Sequence, residues 1–244
     1  MKKLIITLII ITSALTALGA ESAKDIIDRM DEVMDFETLS FSATMKNTDR
    51  LGTTVQSFSA VQNSDGDTLM TVTSGLDKGQ KILRLDDEIY IYYPDADEII
   101  RLSGSGLSDS FLGSDFSYED LSGDDDYNKR YDYELKGSET YGDIDCHLIA
   151  FTAKKLSETY QKMEILIDKE RYVPIVERLY SKSGRLLKTI YYDGYTDAPC
   201  FPTIVRTENA VKKSNRSEMT ISEIVFDGRL DQSLFDREIG RAHV

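Results

Sequence analysis

Ser110-Phe111-Leu112-Gly113-Ser114-Asp115-Phe116-Ser117-Tyr118-Glu119-Asp120-Leu121 interrupts a long run of β-like sequence, and its reading decides what kind of β protein this is. Gly113 lets the chain turn freely behind Phe111 and Leu112. Ser114 or Asp115 can then cap a short helix, with Asp115, Glu119 and Asp120 near its positive end. Leu112 and Phe116 lie four apart, and Phe116 and Leu121 five apart, so one side of such a segment is apolar. Two readings stay open. The stretch is a small amphipathic helix covering the open face of a sheet, or it is a surface loop that packs two phenylalanines onto the core.

The flanking sequence favours a sheet. Residues 22–36 place Ile26, Ile27, Met30, Val33 and Met34 at three-and-four spacing, opposite Asp25, Asp28, Arg29 and Glu32, which predicts an N-terminal amphipathic helix. The period then changes to two: Leu39, Phe41, Ala43 and Met45 alternate with polar residues, and 55–61 and 68–73 continue the pattern across an Asn63-Ser64-Asp65-Gly66-Asp67 turn. Two short strands follow around Asp86-Asp87 within 81–93, and 98–102 returns the chain. After the helical stretch, strands are expected at 131–136, 146–153, 160–168, 173–181, 185–195, 201–208 and 217–227. Short strands joined by tight turns make an antiparallel meander rather than a parallel sheet. Roughly a dozen strands with only two helix candidates suit an incompletely closed barrel. Its concave face would take Phe41, Met45, Val55, Leu69, Ile89, Ile91, Leu148, Met163, Ile165, Ile167, Ile175 and Ile204. Period alone does not distinguish a filled barrel from a hollow one.

The stretch 110–121 resembles the signature segment of periplasmic outer-membrane lipoprotein-sorting proteins, the LolA-like superfamily. Further resemblance lies in Cys146-His147-Leu148-Ile149 followed by 160–168, in Tyr172-Val173-Pro174, in 184–189, and in Asp231-Gln232-Ser233-Leu234-Phe235. Together these motifs cover about 23–236. The resemblance implies a mainly β, LolA/LolB-like fold: a curved antiparallel sheet, half open, with an N-terminal helix and a short helical lid around an apolar cavity. Phe111, Leu112, Phe116 and Leu121 are then the lid candidates, made mobile by Gly104, Gly106 and Gly113. The implied cargo is the acyl chains of lipoproteins, or phospholipid. An inner-membrane transporter would be the donor and an outer-membrane protein the acceptor, with no cofactor. A lipid-binding accessory module of a membrane lipid transporter would have the same fold.

The termini fit export. Lys2 and Lys3 precede an apolar stretch at 4–17, and Ala17-Leu18-Gly19-Ala20 offers small residues for cleavage, so 1–20 reads as a signal peptide. The apolar stretch is short of the roughly 20 residues that span a bilayer, which argues against a retained anchor. A single lipid-binding domain is expected over 21–238 and a disordered tail over 239–244. Removing Lys2 and Lys3 takes the formal charge from −14 to −16, a balance that opposes nucleic-acid binding and adsorption to anionic headgroups. A monomer is expected. Asp124-Asp125-Asp126 reads as a solvated turn, because it lacks the ligand spacing of a calcium loop. Cys146 and Cys200 are either bonded or two separate buried thiols, and an oxidising compartment favours the bond.

Reactive groups are scarce. His147 follows Asp145-Cys146 at the start of a strand, and His243 sits in the tail, so no metal set is apparent. A phospholipid hydrolase built on His147 is the enzymatic alternative. No G-x-S-x-G elbow, Walker loop, dinucleotide fingerprint or paired-histidine motif supports it. The expectation is a protein that carries rather than catalyses, with no catalytic residue to name.

Overall fold

Ser22 and Asp25 cap each other at the start of the first helix. The Ser22 hydroxyl oxygen accepts the Asp25 backbone N–H at 3.2 Å, and the Asp25 carboxylate accepts the Ser22 N–H at 3.0 Å. This reciprocal pair satisfies donors that a first helical turn leaves without partners. Helix α1 (Ala23–Met34) then buries Ile26, Ile27 and Met30 against the sheet, as the three-and-four spacing predicts.

The computed structural model describes residues 21–86, 88–121, 127–212 and 214–239. The expected signal peptide at 1–20, the acidic turn at 124–126 and residues 240–244 lie outside them. Six strands follow α1: β1 (Leu39–Asp49), β2 (Gly52–Gln62), β3 (Thr68–Ser74), β4 (Lys81–Leu85), β5 (Glu88–Tyr93) and β6 (Glu98–Leu102). A one-turn helix α2 (Tyr127–Arg130) precedes seven more. These are β7 (Tyr131–Tyr141), β8 (Ile144–Ala153), β9 (Lys162–Asp168), β10 (Pro174–Tyr180), β11 (Leu186–Asp193), β12 (Ile204–Asn209) and β13 (Arg216–Phe226).

All thirteen form one antiparallel sheet in the order β6-β5-β4-β3-β2-β1-β13-β12-β11-β10-β9-β8-β7. The first and last strands of the chain meet in the middle, with Met45 opposite Met219 and Ala43 opposite Ile221. The sheet curls without closing, which leaves β6 and β7 as its edges. The mainly β, half-open architecture is therefore the one expected.

Because side chains alternate across a strand, the register decides which set faces the concave side. Phe41, Met45, Ile89, Ile91, Met163, Ile165 and Ile167 do so, within or packed against the main core cluster. Five candidates do not. Val55 lies opposite Lys46, one place out of phase with the inward Gln56 and Phe58, and is 53% exposed. Leu69 points outward to Leu83, Tyr90 and Ile239. Leu148 packs outside with Cys146 and Leu166. A β-bulge between Pro174 and Val176 resets the phase and sends Ile175 to that same outer cluster. Ile204 faces Asp193 across the ladder, while its neighbour Val205 pairs with Tyr192 and turns inward.

Three further expectations change. The stretch 110–121 is not a capped amphipathic helix: a single 3-10 turn at Phe111–Gly113 is followed by bends closed by a Ser110–Ser117 bridge. Ser117 and Asp120 there satisfy each other's backbone N–H groups, which replaces the helical ladder. Ile239, assigned with 240–244 to a tail, is buried on the outer face of β3 to β5, and its carbonyl accepts from Lys81 Nζ at 2.8 Å. Cys146 and Cys200 are separate thiols in one outer apolar cluster. Their sulfurs turn to the carbonyls of Ile144 and Asp197 rather than to each other.

Candidate functional site

A cavity of about 510 Å³ lies between the concave face, α1 and the segment 116–121. Met30 and Met34 of α1 and Phe36 just beyond it form one wall. The sheet contributes Phe41, Phe58, Met70, Ile165, Leu179, Ile190, Val205, Met219 and Ile221. Phe116 and Leu121 close a third side. Of the twelve cavity candidates only Phe41 and Ile165 line it. Met45, Ile91, Met163 and Ile167 instead fill the core around it, and Ile89 borders a small separate gap with Phe111.

The lid candidates also divide. Phe116 and Leu121 face the cavity. Phe111 does not: its ring stands edge-on to Phe58 at 5.5 Å and to Tyr118 at 5.7 Å, deep in the core. Leu112 is buried at a positive φ of 47°, a conformation that costs a non-glycine residue energy. Its carbonyl accepts from Asn47 Nδ2 and Gln56 Nε2, each at 3.2 Å, and these two bonds hold it there.

Polar side chains of the barrel fasten the rest of the segment. Ser217 Oγ accepts the Asp115 N–H at 2.9 Å, and Asn209 Nδ2 donates to the Asp115 carboxylate at 2.8 Å. Lys188 Nζ donates to the Asp115 carbonyl at 3.0 Å and to Asp120 Oδ2 at 2.6 Å. Tyr160 donates to Asp120 Oδ1 at 2.6 Å. Burial, and then the Asp120 charge, push the Tyr160 hydroxyl far above its ordinary pKa, so it remains a donor. Arg130 pairs with Glu119 at 2.5 Å and Glu158 at 2.6 Å. Burial opposes its charge, and the hydrogen bonds it donates to both carboxylates outweigh that cost and raise its pKa.

Glu119, Asp120, Arg130, Tyr131, Tyr160, Glu177 and Tyr192 thus give the apolar cavity a polar margin. The sequence reading missed these residues. One signal was present: Lys188 occupies the same phase of β11 as the inward Ile190 and Tyr192.

His147 stands apart from the cavity lining. Its Nε2 lies 3.6 Å from Glu21, and its ring packs beside Tyr172. Burial lowers its pKa, with Glu21 acting in the opposite sense. Among the described residues no group of three His, Cys, Asp or Glu side chains is placed to hold a metal ion. The arrangement offers apolar enclosure with a charged, hydrogen-bonding border.

A family model described as an uncharacterized protein matches residues 64–239. No curated protein matches the chain. Among solved structures, a DUF1329 family protein from Desulfovibrio piger is 26% identical, covering 87% of this chain and 95% of its own, with a TM-score of 0.80. A Vibrio parahaemolyticus domain described as an outer membrane lipoprotein-sorting protein is 19% identical over 89% of this chain and 97% of its own, with a TM-score of 0.81. A LolA superfamily protein from Nitrosomonas europaea is 22% identical over 89% and 98%, with a TM-score of 0.74. The chain belongs to the family matched over residues 64–239, and its curled thirteen-stranded sheet is the LolA-like fold of the lipoprotein-sorting proteins.

Proposed function

We propose that this protein is an exported carrier of the periplasm, which shelters an acyl chain of a lipoprotein or related lipid in its cavity and moves it toward the outer membrane. The carrying observation is the apolar space between the concave face, α1 and Phe116–Leu121 side chains. An exposed acyl chain costs roughly 0.8 kcal/mol per CH₂ in water, so unassisted transit is prohibitive. Taking a methylene as about the size of a liquid water, roughly 30 Å³, the 510 Å³ space accepts about 17 such groups, one long chain.

Residues 1–20 would direct export and be removed, leaving one lipid-binding unit. Its donor would be an inner-membrane transporter and its acceptor an outer-membrane protein. The likeness to sorting proteins supports this direction of traffic. Transfer calls for no bond-breaking, and the position of His147 away from the cavity lining supports carriage over hydrolysis.

Mass spectrometry of lipid extracted from protein purified out of its own envelope tests the proposal. The expected result is an acyl-bearing lipid at about one chain per protein, and its head group separates lipoprotein from phospholipid cargo. Lipid-free protein that also fails to take up a fluorescent fatty acyl probe would overturn it.

A further inference from the structure

Hairpins of an antiparallel sheet alternate between its two ends, and here one end is unlike the other. Five turns adjacent in the sheet order stand at the same end: β3–β4, β1–β2, β12–β13, β10–β11 and β8–β9. Arg50 in the β1–β2 turn donates to Ser214 in the β12–β13 turn at 3.3 Å, which confirms that they are neighbours. Four of these turns expose a large aliphatic side chain: Leu76 is 89% exposed, Leu51 97%, Val211 48% and Leu156 77%. Each has a basic residue within two positions, and the fifth turn carries Lys182 and Arg185.

This row of cations is a local departure from a net charge of −14, a balance that over the whole chain opposes adsorption to anionic headgroups. Lys78, Lys155, Lys182, Arg185 and Lys212 are exposed and hold no ion pair among the described residues. Of the acids between them, Asp49 accepts the N–H groups of Leu51 and Gly52 and Glu158 holds Arg130, while Asp77 stands beside Lys78. Asp95 and Asp97 on the β5–β6 turn bound the row at the sheet edge. Of the turns at the opposite end, β2–β3 carries Asp65 and Asp67, β7–β8 Asp143 and β11–β12 Asp197, while β9–β10 sets Lys169 and Arg171 against Glu170.

We infer that the β3–β4, β1–β2, β12–β13, β10–β11 and β8–β9 turns form a docking rim for an anionic lipid surface. The aliphatic tips enter the interface while the flanking cations meet phosphate. A lipid surface fits better than a protein partner. Protein interfaces favour aromatic residues in a contiguous core and are depleted in lysine. This rim has single Leu and Val tips on separate turns, surrounded by lysine. Anionic headgroups attract basic residues within a Debye length, so the attraction is salt-sensitive. Tyr160, in the β8–β9 turn, and Arg130, bound to Glu158 of the same turn, line the cavity toward this end, while Phe36, Leu39, Gln62, Pro174 and Phe201 line it toward the opposite end. The rim is defined by its own turns and not by the cavity, so the inference stands independently of the carrier reading.

The test is co-sedimentation of the protein with vesicles of phosphatidylglycerol and phosphatidylcholine, or of phosphatidylcholine alone, at low and high salt. Wild type should partition onto the anionic vesicles and be released by salt. The triple variant Lys155→Glu/Lys182→Glu/Lys212→Glu should lose on the order of 100-fold in partitioning, about fivefold or more for each charge. Leu51→Ser/Leu156→Ser/Val211→Ser should weaken it at least about tenfold at unchanged charge. Both sets lie on exposed turns, and an unchanged melting temperature verifies their folding. Equal binding to both vesicle types, no binding, or binding indifferent to both variants would overturn the lipid surface. So would a crosslink to an envelope protein that both variants lose while wild type ignores vesicles.

Discussion

The Asp120 carboxylate, 1% exposed, meets the Lys188 ammonium at 2.6 Å inside the curled sheet. This pair ties the segment after Phe116 to β11, on the far side of the concave face from β2 and β3. Tyr160 and the Ser117 N–H complete the Asp120 shell. A buried carboxylate with its cation removed is costly, about 3–5 kcal/mol when one partner of such a pair is deleted. Lys188→Met should therefore lower unfolding free energy by about 3 kcal/mol, toward the lower limit because Tyr160 and Ser117 remain. Asp120→Asn/Lys188→Met should recover part of that loss. Urea denaturation of the set measures it; a single-variant loss under about 1 kcal/mol would show the pair to be solvated in solution.

Phe111 and Phe116, five apart, should respond differently to truncation. Phe111 is enclosed by Phe58 and Tyr118, so Phe111→Ala should cost about 3–5 kcal/mol and leave affinity for an acyl probe in the folded protein unchanged. Phe116 borders open space on one side and forfeits fewer contacts, so Phe116→Ala should cost less, about 2 kcal/mol. That variant should change probe affinity. Ile165→Phe, which fills the cavity from β9, should weaken the probe, whereas Val55→Ser on the outer face should not. Equal effects of Phe111→Ala and Phe116→Ala on both readouts would mean that the two rings act as one.

The sequence exposed the strands because period-two alternation survives any register. It exposed the N-terminal helix because Ile26, Ile27 and Met30 repeat at helical spacing. Facing is harder to read. Val55 and Val205 are equally apolar, yet only the pairing of Lys46 with Val55 and of Tyr192 with Val205 sends one out and the other in. Ile175 was unreadable for a sharper reason: it is the extra residue of a bulge, since Pro174 and Val176 face the consecutive Ile167 and Leu166 of β9. The lid lost its helix because Asn47 and Gln56, more than fifty residues upstream, capture the Leu112 carbonyl in a left-handed turn. Those tertiary bonds outweigh local capping preference.

Cys146 and Cys200 give a direct chemical readout of the outer cluster. Both are buried, and burial first, then the neighbouring Asp168, push the Cys146 thiol up to about 11. A thiol is reactive as its thiolate, so Cys146 should resist maleimide in the folded protein at neutral pH. After denaturation without reductant, two thiols per chain should label. Zero labelled thiols would establish a disulfide in the exported protein and require the β8 and 194–200 segments to approach more closely than they do here.

Acid should weaken the fold through His147. Burial among β8, Tyr172 and Glu21 lowers its pKa below the ordinary value, although Glu21 at 3.6 Å pulls the other way and Lys169 adds to the lowering. The unfolded chain, with its histidine near about 6.5, therefore binds a proton at pH values where the folded chain does not. Stability must then rise with pH across that interval. The contribution is intact above about pH 6.5 and is lost as pH falls through the folded value. His147→Gln keeps a polar, uncharged side chain and should flatten this part of the stability curve, leaving carboxylate-driven losses at lower pH in place. The measurement is melting temperature of wild type and variant between about pH 7 and pH 5, with the gap between them closing on acidification. A wild-type curve that instead gains stability over that range would mean that Glu21 outweighs burial, and the His147–Glu21 contact would hold the start of α1 more tightly in acid.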